Sequence, residues 1–255
     1  MQVVKMMNLK EERHQFILNK LKQSKSVSVK KLSEEMQVVP MTIRRDLKEL
    51  EQKALLVRVH GGAVEKSTFY DELANEEKQQ LNSENKRVIA EKAGRLIHDE
   101  DTVFIGSGTT NEAIFPFIKE LKLHIITNSL YIFEQYKDIK HMDVVLIGGR
   151  YRKKTGSFIG QLANTMLKQV HIDKAFIGVN GIIDDEATTA NEEEGNVNEL
   201  ILNHSTEKYL VSDSSKFNTR AFTPFYKIKD LTAIITDNEV SYKVKDYYSK
   251  LTEII

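Results

Sequence analysis

The chain contains no cysteine, which excludes disulfides and cysteine-ligated zinc. Its seven histidines, at positions 14, 60, 98, 124, 141, 171 and 204, are never three or four residues apart. Paired metal ligands on one helical face are therefore excluded as well. No apolar run approaches the roughly 20 residues that cross a bilayer. The N-terminal stretch MQVVKMMNLK also lacks the apolar core of a secretion signal. Nucleotide fingerprints are missing too. Asn111 stands where the dinucleotide pattern opened by Gly106 and Gly108 wants its third glycine, and no Gly-x4-Gly-Lys-Ser/Thr occurs. These absences lead us to expect a cytoplasmic protein with no cofactor, no metal and no membrane partner.

What is present suffices for two domains. A length of 255 residues is long for one small domain, and 40% hydrophobic residues supply a real core. The net charge is zero but unevenly spread. Residues 1–60 hold thirteen Lys and Arg against seven Asp and Glu (+6), and the remainder hold twenty-four against thirty (−6). A basic N-terminal part on a mildly acidic body is the asymmetry expected when one end meets nucleic acid.

The most informative stretch runs from Val39 to Glu51. As a helix it places Ile43, Leu47 and Leu50 on one stripe, at i, i+4 and i+7. The opposite face then carries Met41, Thr42, Arg44, Arg45 and Lys48, a positive surface of the right size for a DNA major groove. Pro40 suits the first helical position, where no backbone donor is needed. An ordinary solvated helix face shows the same pattern, so the neighbours decide. Residues 9–23 form a first helix burying Ile17, Leu18 and Leu21, and Ser24 to Ser28 break it. Ser28 then caps a short helix burying Val29, Leu32 and Met36. Helix, short turn and basic second helix make a helix-turn-helix, at about residues 25–45. Leu55 to His60 alternates like a strand and ends at the Gly61-Gly62 turn, a wing whose Arg58 and His60 are placed to touch phosphates.

From Arg13 through Ala63, and above all at Thr42–Leu47 and Val57–Ala63, the chain resembles the DeoR family of bacterial repressors. Val39 departs from that pattern, which has Ser there as the recognition-helix cap. Its loss implies about 1 kcal/mol less helix stability and altered DNA binding.

Residues 64–87 are polar and read as a linker entering a helix, whose stripe is Ile89, Ala93, Leu96 and Ile97. Beyond it, apolar runs at 102–105, 124–127, 144–147, 175–179, 209–211 and 232–236 alternate with helical stretches near 110–121, 160–169, 195–204 and 240–251. That alternation implies an α/β domain with a mostly parallel sheet covered on both faces. Ligands of such sheets bind at the carboxyl ends of the strands. Small polar clusters stand at four of those ends: Gly106 to Thr110, Thr127 to Ser129, Gly148 to Arg150 and Asp213 to Lys216. Backbone N–H groups and hydroxyls at Ser107, Gly108, Thr109 and Thr110 make an anion seat. Lys216 adds a charge-assisted contact and Asp213 an acceptor for a sugar hydroxyl, with Asn128, Ser129 and Arg150 as further candidates.

These clusters, together with Asp173–Gly178, resemble the effector domain of DeoR repressors, which is similar in fold to ribose-5-phosphate isomerase and senses phosphorylated sugars. Lys78 and Lys86 match the Lys-x7-Lys spacing at its entrance and are assigned to the effector response; their plain alternative is two solvated lysines. Within the family, overall size and the Pro40–Arg44 segment resemble lactose phosphotransferase system repressors, which implies tagatose 6-phosphate as the ligand. The expected layout is a winged helix-turn-helix at 8–63, a linker at 64–85 and an effector and oligomerisation domain at 86–255. It implies double-stranded operator DNA as partner and a homo-dimer or tetramer. The rival reading is a sugar-phosphate isomerase-like enzyme carrying a DNA-binding module. Its carboxylates would come from Asp184–Glu186 and Glu192–Glu194, which read as a solvated loop, and the paired catalytic motif of the isomerases is not recognisable. We therefore expect no catalytic residues.

Overall fold

A computed structural model describes residues 10–24, 26–53, 55–59, 61–65, 74–79 and 81–255. The chain divides into two compact units, Met1–Glu72 and Leu73–Ile255.

The first unit runs α1 (Lys10–Ser24), β1 (Ser26–Ser28), α2 (Val29–Met36), α3 (Pro40–Gln52), β2 (Leu56–Val59) and β3 (Gly62–Glu65). Ser28 caps α2, its oxygen accepting from the Lys31 N–H at 3.1 Å. Gln37, in the left-handed region at φ 54°, ends that helix. The helical stripes meet in one core of Ile17, Leu21, Val29, Leu32, Met36, Ile43, Leu47 and Leu50, closed by Leu56 and Ala63 of the wing. Ser24–Ser28 is more than a helix break: β1 joins the wing, with β3 central and antiparallel to both β1 and β2. Gly62 permits this. A Cβ there would lie 2.0 Å from the Val27 carbonyl oxygen.

The second unit opens with α4 (Asn75–Gln79) and α5 (Ser83–Gly94). Then follow β4 (Thr102–Ile105), α6 (Thr109–Glu112), α7 (Phe115–Ile118), β5 (Leu123–Thr127), α8 (Leu130–Tyr136) and β6 (Met142–Leu146). A hairpin of β7 (Arg150–Arg152) and β8 (Ser157–Ile159) leads into α9 (Gln161–Leu167) and β9 (Ile172–Gly178). The chain continues with β10 (Gly181–Ile183), β11 (Glu186–Thr189), α10 (Glu192–Asn203) and β12 (Ser205–Val211). It ends with β13 (Thr223–Lys227), β14 (Ala233–Ile235), α11 (Tyr242–Tyr248) and β15 (Glu253–Ile254).

Seven strands make one all-parallel sheet in the order β15-β14-β12-β9-β4-β5-β6. All six apolar runs lie in it. Alternate side chains enter separate cores: Phe104, Leu210 and Ile234 pack on one face, while Val103, Ile105, Tyr209, Val211 and Ile235 pack on the other. Both faces are therefore buried, as a parallel sheet requires. At the strands' amino ends, Asp173 accepts from the Thr102 N–H at 2.8 Å, and Lys174 pairs with Asp101 at 2.6 Å. These contacts tie β9 to β4.

Three expectations are corrected. The linker does not extend over 64–85: residues 62–65 are a wing strand, and 75–79 and 83–94 are helices of the second unit. Asn75, only 1% exposed, anchors α4 there because its backbone N–H donates to the Lys154 carbonyl. The single helix at 110–121 is two short ones, since Pro116 has no N–H to continue the first. The acidic residues 184–186 and 192–194 are not one solvated loop. Asp184 (φ 52°) turns the β10–β11 hairpin, and Glu192–Glu194 form the first turn of α10 under the Asn191 cap. The hairpin β7–β8, the three-stranded antiparallel sheet β10-β11-β13 and helix α8 were not foreseen at all.

Candidate nucleic-acid interface and ligand site

In the first unit, α3 presents Met41, Arg44, Arg45 and Lys48 to solvent, with Thr42 half-buried beside them. Its underside carries Ile43, Leu47, Leu50 and one charged residue, Asp46, which is fully buried. Asp46 is held by Arg13 of α1, through Nε at 2.7 Å and Nη2 at 3.1 Å. The hydrogen bond to Asp46 holds the Arg13 guanidinium above its ordinary range. Val39 occupies the N-cap position of α3 with no side-chain cap bond; the Thr42 N–H, the amide that a Ser there would serve, donates instead to the Val39 carbonyl oxygen at 2.9 Å. Arg58 is exposed on the wing but engaged: its Nε donates to Glu51 at 2.9 Å and its N–H to the same carboxylate at 3.1 Å. A phosphate would have to compete with Glu51 for it. His60 lies outside the described residues.

In the second unit, β5 and β6 extend the sheet to one side of β4, while β9, β12, β14 and β15 extend it to the other. The order thus reverses between β4 and β9, and a crevice opens at the carboxyl ends of such a pair. The turn at Ser107–Thr110 leaves β4 there. Gly108 adopts φ 128°, with open space where a Cβ would stand. Ser107, Gly108 and Thr110 are partly exposed and Thr109 is buried. Asn111, fully buried, staples the turn: its Nδ2 donates to Gly106 O at 2.9 Å and Phe176 O at 3.1 Å. Helix α6 spans only four residues, so its dipole is weak and the turn's amides and hydroxyls are what an anion would meet.

A second group of candidates surrounds the Lys86 ammonium, which is buried on α5. Burial lowers its pKa, the Asp213 and Glu112 carboxylates oppose that shift, and Lys216 and Lys78 add to it. Lys86 donates to the Lys78 carbonyl oxygen. Four residues singled out in the sequence, Lys78, Lys86, Asp213 and Lys216, therefore share one electrostatic environment. Asp213, 5% exposed, accepts from the Ser215 N–H at 3.0 Å and caps the 3-10 turn that carries Lys216. Asp237, at the end of β14, accepts from the Ser214 N–H at 2.7 Å and steadies the same turn.

The other candidates already have partners within the second unit. Ser129 is fully buried and caps α8, accepting from the Ile132 N–H at 3.4 Å. Asn128 donates Nδ2 to Phe158 O at 3.1 Å, fastening the β7–β8 hairpin, while its buried Oδ1 has no partner among the described residues. Arg150 is exposed and paired with Glu193. Two residues that the sequence did not mark are central. Glu112, ending α6, accepts from Asn75 Nδ2 at 3.0 Å and Gln79 Nε2 at 3.2 Å, so it grips α4. Asn75 Nδ2 also donates to Thr155 O at 3.1 Å. No periodicity marks either residue, because both act through contacts distant in the chain. Among the described residues, no cluster suits a metal and no helix is long and apolar enough to cross a membrane.

Residues 13–69 match the DeoR-like helix-turn-helix domain and residues 81–238 match the DeoR C terminal sensor domain. The chain is 39% identical over 249 residues to the lactose phosphotransferase system repressor of Streptococcus mutans, covering 96% of this chain and 99% of that one. It is also 39% identical over 250 residues to the protein of the same name from Lactococcus lactis subsp. lactis, covering 96% and 98%. Among solved structures, ribose 5 phosphate isomerase A from Neisseria gonorrhoeae is similar over 53% of each chain, at 16% identity and a TM-score of 0.39. Both domain matches and relatives spanning nearly the whole chain lead to one conclusion: the chain belongs to the DeoR family of helix-turn-helix repressors.

Proposed function

We propose that this protein represses a sugar-catabolic operon and leaves its operator when a phosphorylated sugar binds the second unit. The observation that carries the reading is the grouping of Lys78, Glu112, Asp213 and Lys216 around the buried Lys86 ammonium. The cations supply charge for a phosphate, and Asp213 supplies an acceptor for a sugar hydroxyl. The amides and hydroxyls of Ser107–Thr110 form a second anion-binding element at the chain reversal between β4 and β9. Since the relatives are named lactose phosphotransferase system repressors, tagatose 6-phosphate is the first ligand to assay.

On the DNA side, Arg44, Arg45 and Lys48 divide guanine and phosphate contacts, with Thr42 beside them. One recognition helix reads too few bases for useful specificity, so the working species is a dimer or tetramer. By linkage, a ligand that weakens operator binding must itself bind operator-bound protein more weakly.

The test combines thermal shift against a panel of sugar phosphates with DNA binding by fluorescence anisotropy. A specific ligand raises the melting temperature by mass action. Arg45→Ala is expected to lower DNA affinity roughly tenfold or more, as loss of one bidentate base contact implies, and to leave the ligand shift intact. Lys216→Ala is expected to abolish the ligand shift and leave DNA binding unchanged, giving a repressor that does not release. Equal damage to both activities from either change sinks this division of labour. Turnover of ribose 5-phosphate by the purified protein would restore the isomerase reading.

A further inference from the structure

The leading end of α3 is apolar where it is most exposed. Val39 is 64% and Met41 69% exposed, while Ile43, Leu47 and Leu50 of the same helix are at most 1% exposed. Neither exposed side chain contributes to the core, and neither has a hydrogen-bond donor. They flank Pro40, whose ring holds the backbone at the first helical position, so both are displayed from a stiff segment. The next exposed side chains along the helix are Arg44, Arg45 and Lys48. Single exposed apolar residues are ordinary on a protein surface. Two of them, on either side of a proline and continuous with the cationic face of a recognition helix, point to one kind of occupant.

We propose that Val39 and Met41 are specificity-determining residues that read the 5-methyl group of thymine. Residues at the N-terminal end of a recognition helix are the ones that reach base edges in the major groove. Of the groups displayed there, nearly all are hydrogen-bond donors or acceptors, and the thymine methyl is the apolar one. A valine and a methionine cannot satisfy the polar groups, but they gain by removing a methyl from water. A serine at position 39 could instead cap the helix or reach a phosphate, and would discriminate no base through a methyl. Val39 thus exchanges a positioning contact for a sequence-reading one, and Met41, with three rotatable bonds, adapts its thioether to the same step. The inference rests on the DNA-binding reading above and adds the chemical group that these two residues recognise.

The experiment uses the full chain and two random-sequence duplex libraries, one built with thymidine and one with deoxyuridine, which lacks only the methyl. After selection on the thymidine library, each thymine of the preferred duplex is replaced singly by deoxyuridine and affinity is measured by fluorescence anisotropy. At one or two thymines per half-site, loss of the methyl should weaken binding about fourfold, corresponding to about 0.8 kcal/mol per buried methyl. In Val39→Ala or Met41→Ala, the deoxyuridine penalty at the matching thymine should vanish while preference for guanine positions persists. Both positions are solvent-exposed, and unchanged melting temperatures confirm that the variants are folded. A preferred duplex in which no thymine shows a methyl penalty overturns the proposal, as does a penalty that survives both substitutions. Enrichment of no sequence at all overturns the DNA-binding reading itself, and this proposal with it.

Discussion

Arg13 and Asp46, 33 residues apart, meet through two hydrogen bonds of 2.7 and 3.1 Å in the interior of the DNA-binding unit. The pair fixes the angle between α1 and the recognition helix from beneath, while Arg44, Arg45 and Lys48 face outward. His14 approaches the same carboxylate, with Nε2 at 3.5 Å from Oδ1. Removing one partner of a buried pair leaves the other charged and desolvated. Asp46→Ala is therefore expected to destabilise the first unit by about 3–5 kcal/mol. Replacing both partners by apolar residues, as in Arg13→Met with Asp46→Leu, should recover much of that loss. Urea unfolding followed by circular dichroism checks both, and a single variant with an unchanged midpoint counts against the pair's structural role.

The uncapped start of α3 is a second measurable feature. Among the described residues, four other α-helices carry a side-chain cap that α3 lacks: Ser28 serves α2, Ser129 serves α8, Asn191 serves α10 and Ser241 serves α11. Val39→Ser should add a cap to α3 and stabilise the first unit by about 1 kcal/mol, and Ser28→Ala should remove a similar amount. Unfolding midpoints of the two variants moving in opposite directions is the expected outcome. A Val39→Ser protein no more stable than the parent contradicts it.

Lys86 supplies a pH-dependent expectation. Burial holds its folded pKa below the ordinary 10.5. Between the folded value and 10.5 the unfolded chain therefore carries more protons than the folded one, and stability rises with pH across that interval. Below the interval the buried ammonium costs the fold its full desolvation penalty; above 10.5 the penalty is gone. Lys86→Met should flatten this alkaline rise and leave the second unit at least as stable at neutral pH. On the proposed reading it should also abolish the response of operator binding to sugar phosphate. Melting temperatures between pH 7 and 10, with and without ligand, separate the two effects.

Glu112 links the turn at Ser107–Thr110 to α4, the first described helix of the second unit, through Asn75 and Gln79. Asn75→Ala deletes buried donors to Glu112 and to the Thr155 carbonyl, at an expected cost of about 1–3 kcal/mol. If α4 carries the ligand signal along the chain, the variant should still bind sugar phosphate and DNA but lose most of the coupling between them. The readout is the ratio of DNA affinities with and without ligand. A stability loss with that ratio intact assigns Asn75 to packing alone.

Much of this architecture is legible in residue order. The stripes Val29, Leu32, Met36 and Ile43, Leu47, Leu50 announce two helices and their buried faces, because a 3.6-residue period records which side meets the core. The apolar runs of β4, β5, β9 and β12 announce a parallel sheet, because strands buried on both faces must be apolar throughout. The polar clusters at 106–110 and 213–216 follow, since strand ends in such a sheet share one edge. Folding alone decided the rest. Strands β7, β8 and β10, of three residues each, are too short to show a period. Ser129 and Arg150 look like the other strand-end residues in sequence, yet one became a helix cap and the other an ion-pair partner of Glu193. Asp46 with Arg13, and Glu112 with Asn75, are partners distant in the chain, and no local pattern encodes whom a buried charge will meet. Periodicity is a property of neighbours in sequence; the pairing of isolated polar groups is a property of the packed molecule.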